Sequence, residues 1–183
     1  MMISKLETVN LKIEKATFDD LERLVEIQNS WEEQKILTGE SGADESYFQQ
    51  ALTSGHLPPN GKKENYRIYT IRSQMTNEIC GILEIYHGYP DETTIWIGQF
   101  VIDKNHQKRG IGKEVIDELC SQARKNGFSR IGIGVHLKNW PALRFWSANG
   151  FDKIRNISGD KEYGANHFSV ISLECNLEND CYL

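Results

Sequence analysis

The most informative stretch of the chain is Gln107-Lys108-Arg109-Gly110-Ile111-Gly112-Lys113, which lies between a predicted strand and a predicted helix. It is not a P-loop, because Gln107 stands where that motif needs a glycine and Glu114 where it needs serine or threonine. It is not a dinucleotide-binding fingerprint, because Val115 occupies the position of the third small residue. Backbone N–H groups at a helix N-terminus, with glycines that permit close approach, form a cradle for a pyrophosphate. The heptapeptide alone allows either such a cradle or a glycine-rich loop with a solvated basic cluster.

The segments on both sides of the heptapeptide predict a mixed sheet. Apolar residues recur at helical spacing from Gly112 to Asn126, and Gly127 follows in the C′ position. Upstream, three runs separated by short turns predict an antiparallel meander over Tyr66–Ser73, Ile79–His87 and Thr94–Asp103. The last of these runs connects through the helix to a predicted strand at Arg130–His136, and such a crossover must be parallel.

The remaining segments complete the order β-α-α-β-β-β-α-β-α-β-β. Thr17 and Asp20 resemble a capping box at the start of the first helix. The other predicted elements are a first strand at Leu11–Ala16, helices at 18–31, Asp44–Ser54 and Pro141–Asn149, and last strands at Phe151–Ile157 and His167–Glu174. We therefore predict an α/β chain of the α+β type, with one domain over residues 1–175 and a C-terminal tail over residues 176–183.

Composition narrows the class of protein. A chain of 183 residues suits one domain, and 39% hydrophobic with 26% charged residues is typical of a soluble globular protein. The net charge of -5 argues against nucleic acid as the main partner. No secretory signal and no apolar run long enough to span a membrane is visible, so we expect a cytoplasmic protein without a membrane partner. The four cysteines lack metal-ligand spacing; a Cys175–Cys181 bridge stays open, although a reducing cytoplasm favours thiols.

Two blocks of sequence carry a family resemblance. Gln107, Gly110 and Gly112 resemble the acyl-CoA-binding signature of the GNAT-type N-acetyltransferase superfamily, Gln/Arg-x-x-Gly-x-Gly/Ala. The block 139–151 is similar to the family's Asn-x-x-Ala-x-x-Phe/Leu-Tyr-x-x-x-Gly-Phe element, in the right order and separation. The resemblance implies the acyl-CoA N-acyltransferase fold, with the parallel strand pair splayed around the acyl-CoA site. It also implies an enzyme that transfers an acetyl group from acetyl-CoA to a primary amine by direct attack in a ternary complex.

The resemblance also implies which residues bind acetyl-CoA. The pantetheine arm would pair with the strand backbone at Val101 and Ile102, and the pyrophosphate would lie on the heptapeptide. The Asn139 side chain would contact the cofactor and Phe145 would pack against it, whereas the residues alone favour a turn-forming Asn139 and a core Phe145. The implied cofactor-binding residues are Phe100, Val101, Ile102, Gln107, Lys108, Arg109, Gly110, Ile111, Gly112, Lys113, Asn139, Ala142, Phe145 and Trp146.

The residues that usually transfer protons in this family are absent. Trp146 stands at the position of the tyrosine acid and Trp96 at that of a glutamate base, and indole serves neither purpose. Glu84, beside the expected cleft, and His136, at the end of a strand, are the candidate catalytic residues. An exposed carboxylate and a structural histidine are the alternatives. Tyr163 could reach the thioester sulfur only if its loop folds over, so we expect proton transfer through water, with positioning supplying most of the catalysis.

The acceptor cannot be named from the sequence. Acidic residues on segments that border the acceptor side in this family would attract a protonated amine, or would only solvate the surface; they are Glu32, Glu33, Glu40, Asp44, Glu45, Asp91 and Glu92. Aromatic residues that would line the acceptor pocket or pack in the core are Trp31, Trp96, Tyr86 and Trp146. The acceptor is expected to be a small-molecule or peptide amine, and an open edge strand near the C-terminus would allow a homodimer. The alternative function is a non-catalytic acyl-CoA-binding regulatory module.

Overall fold

The computed structural model describes residue 3 and residues 6–178 of the chain. The strands are β1 (Leu6–Glu7), β2 (Leu11–Lys15), β3 (Tyr66–Ser73), β4 (Ile79–His87), β5 (Thr94–Ile102), β6 (Arg130–His136), β7 (Lys153–Gly159) and β8 (Ser169–Asn176). The α-helices are α1 (Leu21–Asn29), α2 (Gln34–Thr38), α3 (Glu45–Thr53), α4 (Ile111–Lys125) and α5 (Trp140–Ala148). None of the helices in these residues is long and apolar enough to cross a membrane.

The strands form one mixed sheet in the order β1-β2-β3-β4-β5-β6-β8-β7. Strands β3, β4 and β5 are the predicted antiparallel meander, and β5 and β6 are the predicted parallel pair. The fold class is therefore confirmed. Strand β8 enters between β6 and β7, which leaves β7 at the edge of the sheet with its whole length exposed.

The parallel pair opens partway along its length. Strands β5 and β6 pair only from Thr94–Arg130 to Ile97–Ile133. At the next residue, Gly98, β5 carries a bulge against β4, because Glu84 pairs with Gln99 and Ile85 with Ile97. A bulge bends its strand and increases the local twist. From Gly98 onward, β5 therefore diverges from β6, and no β6 residue pairs with it in the part of the chain that the structure describes.

Helices cover both faces of the sheet. Helix α4 buries the predicted apolar stripe, which comprises Val115, Ile116, Leu119, Cys120 and Ala123, in a core shared with α5 and with Ile95 and Ile97 of β5. On the other face, Leu24 and Ile27 of α1 and Phe48 of α3 pack against Tyr66, Ile82 and Tyr86. The two faces are therefore separate compartments that meet only where the sheet opens.

The end of α5 explains why the strand predicted at Phe151–Ile157 starts later than expected. Gly150 has φ of 84° and its N–H donates to Ser147 O, while the Phe151 N–H donates to Trp146 O at 3.1 Å. This is a Schellman motif, whose apolar contact is made by the rings of Phe151 and Trp146, 4.8 Å apart. Phe151 thus closes the helix, and β7 begins only at Lys153.

Other boundaries agree closely, with two omissions. The Thr17 N–H donates to Asp20 Oδ2 at 2.8 Å, as one half of a capping box requires, and Asp44 caps α3 by accepting from the Tyr47 N–H. Strand β1 and helix α2 were not predicted. Strand β8 runs to Asn176, while Cys181 and the rest of the tail from residue 179 lie outside the described residues.

Candidate active site

A cavity of about 520 Å³ lies where the heptapeptide meets α5. Its volume is within the range of small-molecule sites. The predicted cofactor residues that line it are Phe100, Ile102, Gln107, Lys108, Gly110, Ile111, Gly112, Lys113, Ala142, Phe145 and Trp146. The cavity is also lined by His106, Pro141 and Asn149, which were not predicted. Both sequence blocks therefore contribute to one cavity.

The start of α4 has the backbone geometry of an anion cradle. Gly110 is the N-cap of α4 with φ of 82°, and Lys108 also adopts positive φ, at 61°. The first N–H groups of a helix have no partner within the helix, and they point outward from its N-terminus. A side chain built on Gly110 would meet no protein atom within 4 Å, so the space in front of these groups is open. A pyrophosphate with neighbouring cations at Lys108 and Lys113 fits this arrangement.

Aromatic side chains form the wall of the cavity opposite α4. A Cβ atom on Gly112 would lie 3.1 Å from the ring of Phe145, so the glycine lets this ring lie against the first turn of α4. The ring of Phe145 lies 6.0 Å from Phe100 and 5.1 Å from Trp146. Trp146 is 4% exposed and also contacts Phe151, so it is part of the core as well as of the cavity wall.

Three predicted cofactor residues lie elsewhere. Val101 packs on the opposite face of the sheet, and neither Arg109 nor Asn139 lines the cavity. The Asn139 side chain caps α5 by accepting from the Ala142 N–H at 3.2 Å, which is the turn-forming interpretation that the residues alone favoured. Gln107 connects the heptapeptide to the end of β5, because its Nε2 donates a hydrogen bond to Ile102 O at 2.9 Å.

A second cavity, of about 510 Å³, lies on the opposite face of the sheet. It is lined by Gln50, His56, Leu57, Pro58, Pro59, Tyr66, Glu84, Ile85, Tyr86, Tyr89, Trp96 and Gly98. The loop after α3 closes over it, and the Lys62 N–H donates to the Tyr86 hydroxyl at 2.8 Å. Glu84, predicted as a candidate catalytic residue, is therefore a cavity residue and not an exposed strand carboxylate.

Glu84 is buried and paired with a histidine. Its side chain is 2% exposed, and Oε2 lies 3.2 Å from Nδ1 of His56. Burial, followed by the negative charge of Glu84, raises the pKa of Tyr66 and that of Tyr47 well above the ordinary tyrosine value, so both hydroxyls remain protonated. Glu84 Oε1 and His56 Nε2 are buried without a hydrogen-bond partner among the described residues. Buried polar atoms normally have a partner, so these two atoms are available to a ligand or to water.

His56 could not be identified from the sequence, because it lies in a loop with no apparent motif. Gly55, with φ of 81°, makes the placement possible. A Cβ atom there would lie 2.8 Å from the ring of Tyr66, so only glycine lets the loop approach the sheet this closely. The imidazole then stacks near Tyr47, with ring centroids 4.2 Å apart.

Trp96 forms a wall of the second cavity. A Cβ atom on Gly132 would lie 2.7 Å from its indole ring, so the indole crosses β6 where that strand has no side chain. The indole also meets the ring of Tyr89 edge-on at 5.6 Å. Of the other aromatic residues predicted for this region, Tyr86 lines the same cavity, whereas Trp31 and Trp146 do not.

The other proton-transfer candidates lie away from Glu84. His136 is three residues beyond the last pairing of β6 with β5, and its Nε2 lies 3.8 Å from Glu40 Oε1. It lines neither of the two cavities. Tyr163 is 97% exposed and lines a third cavity, together with Lys138 and Trp140. The structure therefore does not bring Glu84 and His136 together.

Several of the predicted acidic residues have local partners. Asp91 forms an ion pair with Arg130 at 2.7 Å and accepts from the hydroxyls of neighbouring threonines. Glu32 pairs with Lys104, also at 2.7 Å. These contacts stabilise turns and loop ends, so the buried Glu84 is the predicted carboxylate that remains directed at a cavity.

Strand β5 contributes to both cavities. Gly98 and Glu84 lie on the face with the second cavity, and a Cβ atom on Gly98 would come within 3.6 Å of Glu84 Oε2. Phe100, two residues later, faces the first cavity. From this level onward, no β6 residue among those described pairs with β5. A thioester lying in this opening could be attacked from the Glu84 side while its carrier occupies the α4 side.

Comparisons with known proteins agree with this geometry. A sequence model described as the acetyltransferase (GNAT) family matches residues 22–151. No curated protein matches the chain. Among solved structures, an acetyltransferase from Thermus thermophilus is 18% identical with a TM-score of 0.68, over 96% of this chain and 99% of that chain.

Two further structures share the fold at low identity. The ribosomal-protein-S18-alanine N-acetyltransferase from Escherichia coli is 14% identical with a TM-score of 0.66, over 94% of this chain and 99% of that chain. An acetyl transferase from Salmonella typhimurium that modifies the N-terminal serine of ribosomal protein L7/L12 is 17% identical with a TM-score of 0.69, over 92% and 96%. At these identities the likeness shows the fold alone.

Proposed function

The chain belongs to the acetyltransferase (GNAT) family, and on that premise we propose that it transfers the acetyl group of acetyl-CoA to a primary amine by direct attack in a ternary complex. The observation that supports the proposal is the opening of the sheet at Gly98, with an anion cradle on one face and a buried carboxylate on the other. Two substrates bound from opposite faces would meet there.

The α4 side supports the binding of acetyl-CoA. The N–H groups of the first turn of α4 would hold the pyrophosphate, and Lys108 and Lys113 would add charge-assisted contacts. The pantetheine arm would enter the gap between β5 and β6, where the freed edge of β5 offers backbone donors and acceptors as a neighbouring strand would. Phe100 and Phe145 would exclude water along this path.

The Glu84 side supports the binding and deprotonation of the amine. The reaction needs a neutral nitrogen, which attacks the thioester carbonyl while the C–S bond breaks and the thiolate leaves. An ammonium at Glu84 would pass one proton to the carboxylate, or through water to His56, before the attack; the nitrogen would lose its second proton as the amide forms, and the leaving thiolate would take up a proton. Holding the nitrogen close to the carbonyl would supply much of the rate, because oriented reactants avoid the entropic cost of an encounter.

A turnover assay tests the proposal. The purified chain is incubated with acetyl-CoA and a panel of primary amines, thiol release is followed, and the product is identified by mass. We expect thiol and N-acetylated amine in equal amounts. Tight binding of acetyl-CoA with no thiol release above background for any amine would support a non-catalytic acyl-CoA-binding module instead.

A further inference from the structure

We infer that the second cavity binds a primary amine with an uncharged, apolar body, whose ammonium group is received by Glu84. The inference rests on the proposed function and adds the class of acceptor. It favours a monoamine over a polyamine, an amino acid or a polar peptide terminus.

The charge of the cavity points to one cationic group. Glu84 is the only acidic residue, and no lysine or arginine is present, among the residues described as lining it. Lys63 is close enough to influence Glu84, but its ammonium donates to Ala51 O at 2.9 Å and lies 4.7 Å from the centroid of the Tyr66 ring. A single ammonium would neutralise the buried carboxylate, whereas a second charge on the ligand would have no counter-ion here.

The hydrogen-bonding groups fit an ammonium. His56 Nδ1 lies 3.2 Å from Glu84 Oε2, and an N–H at that position donates to the carboxylate, which leaves a lone pair on Nε2. Glu84 Oε1 and His56 Nε2 are both buried and have no partner among the described residues. An ammonium would donate to Glu84 Oε1, whereas His56 Nε2 lies on the side of the imidazole away from the carboxylate and needs a different donor. A neutral apolar ligand would leave Glu84 Oε1 unpaired, at a cost.

The walls fit an apolar body. Beyond Glu84 the cavity is formed by the rings of Tyr86, Tyr89 and Trp96 and by Pro58 and Pro59. The Tyr86 hydroxyl already accepts from the Lys62 N–H, so it faces the loop backbone. Burial of apolar surface against these rings would stabilise the complex, and the face of an aromatic ring attracts the ammonium end as well. A ligand with a charged or zwitterionic tail would lose hydration along these walls without gaining a counter-ion, because the other polar residues of the lining, Gln50 and Tyr66, are uncharged.

The test compares amines that differ only at the far end. Hexylamine and 1,5-diaminopentane have the same chain length, and the second replaces a terminal methyl group by an ammonium. 6-Aminohexanoate places a carboxylate at a similar position. With the wild-type chain and saturating acetyl-CoA, we expect kcat/KM for hexylamine to exceed that for either charged analogue by at least about tenfold.

A pair of matched substitutions tests the anchor. Glu84→Gln removes the buried charge with little change in shape, and Glu92→Gln removes the same charge from the exposed turn before β5. We expect Glu84→Gln to lower kcat/KM for hexylamine by about tenfold or more, and Glu92→Gln, which removes only part of a screened surface field, to lower it much less. The Kd for CoA, measured by calorimetry, should stay at the wild-type value in both variants and thereby shows that they are folded.

The outcomes distinguish a failure of the proposed function from a failure of the proposed acceptor class. If no amine is acetylated, the proposed function fails and the acceptor class fails with it. If diaminopentane or aminohexanoate is acetylated as well as hexylamine or better, the function stands and the apolar acceptor is refuted. Equal effects of Glu84→Gln and Glu92→Gln would refute Glu84 as the anchor, because only a diffuse surface field would explain them.

Discussion

Substitution of Gly110 by alanine tests the cradle without disturbing the core. A Cβ atom there would meet no protein atom within 4 Å, and Gly110 lines the first cavity at the start of α4. The residue has φ of 82°, so alanine costs about 1–2 kcal/mol of backbone strain. A domain of ordinary stability, about 5–15 kcal/mol, tolerates this loss. Gly112→Ala is less suitable, because its Cβ would lie 3.1 Å from Phe145 and would alter packing as well as binding.

Gly127→Ala is a matched control at the other end of the same helix. Gly127 has φ of 77°, so alanine carries a similar strain there, far from the cradle. Both variants should lower Tm by about 2–8 °C, since 1 kcal/mol corresponds to about 2–4 °C in a domain of this size. By isothermal calorimetry, Gly110→Ala should weaken CoA binding by at least about tenfold, which is about 1.4 kcal/mol. Gly127→Ala should bind CoA as the wild type does. A folded Gly110→Ala protein with the wild-type Kd would refute the cradle.

Four other perturbations have expected outcomes. Lys108→Asn should keep or raise Tm, because asparagine tolerates the φ of 61° at this position, yet it should weaken CoA binding in calorimetry by removing a cation. Trp146→Phe should lower the free energy of unfolding by about 1–3 kcal/mol, because the ring is packed in the core. The pH–rate profile of this variant should keep the wild-type shape. Loss of an acidic limb would show that Trp146 takes part in proton transfer. For a cationic acceptor, kcat/KM should fall as the salt concentration rises. The net charge of -5 attracts cations through a field that salt screens beyond about 8 Å at physiological ionic strength. A kcat/KM independent of salt concentration would argue against this attraction. Burial raises the pKa of the Cys80 thiol to about 11, so mass spectrometry should find this residue unalkylated in the native protein at pH 8 and alkylated after unfolding.

The parts of the fold that could be predicted are those with strong local signals. The bounds of β3 and β4 were predicted to the residue, because turn-forming residues interrupt long apolar runs on both sides. Helix α2, with five residues, is too short for a helical period to be visible. It ends at Gly39, where a Cβ atom would lie 2.7 Å from the ring of Phe168, so a residue far along the chain determines that close approach. The position of β8 between β6 and β7 depends likewise on tertiary pairing. The spacing of apolar residues along the sequence does not indicate which strands pair.

The candidate site likewise has one part with a local sequence signal and one part that is assembled only by the fold. The cradle is formed by consecutive residues, so the heptapeptide Gln107–Lys113 and Phe145 could be identified from sequence, and all of these residues except Arg109 line one cavity. The acceptor side is assembled from the loop after α3 and from strands β3, β4 and β5. Glu84 was a candidate because of its strand position, but its partner His56 is 28 residues earlier in the chain and belongs to no motif. Only the folded loop brings the imidazole to the carboxylate.

The initial-velocity pattern tests the central claim most directly. Rates of thiol release are measured while acetyl-CoA and hexylamine are varied against each other. We expect double-reciprocal lines that intersect, because acetyl-CoA and the amine must each be bound in its own cavity before the amine attacks the thioester. Parallel lines would contradict this claim, since they indicate an acetylated enzyme intermediate that forms before the amine binds.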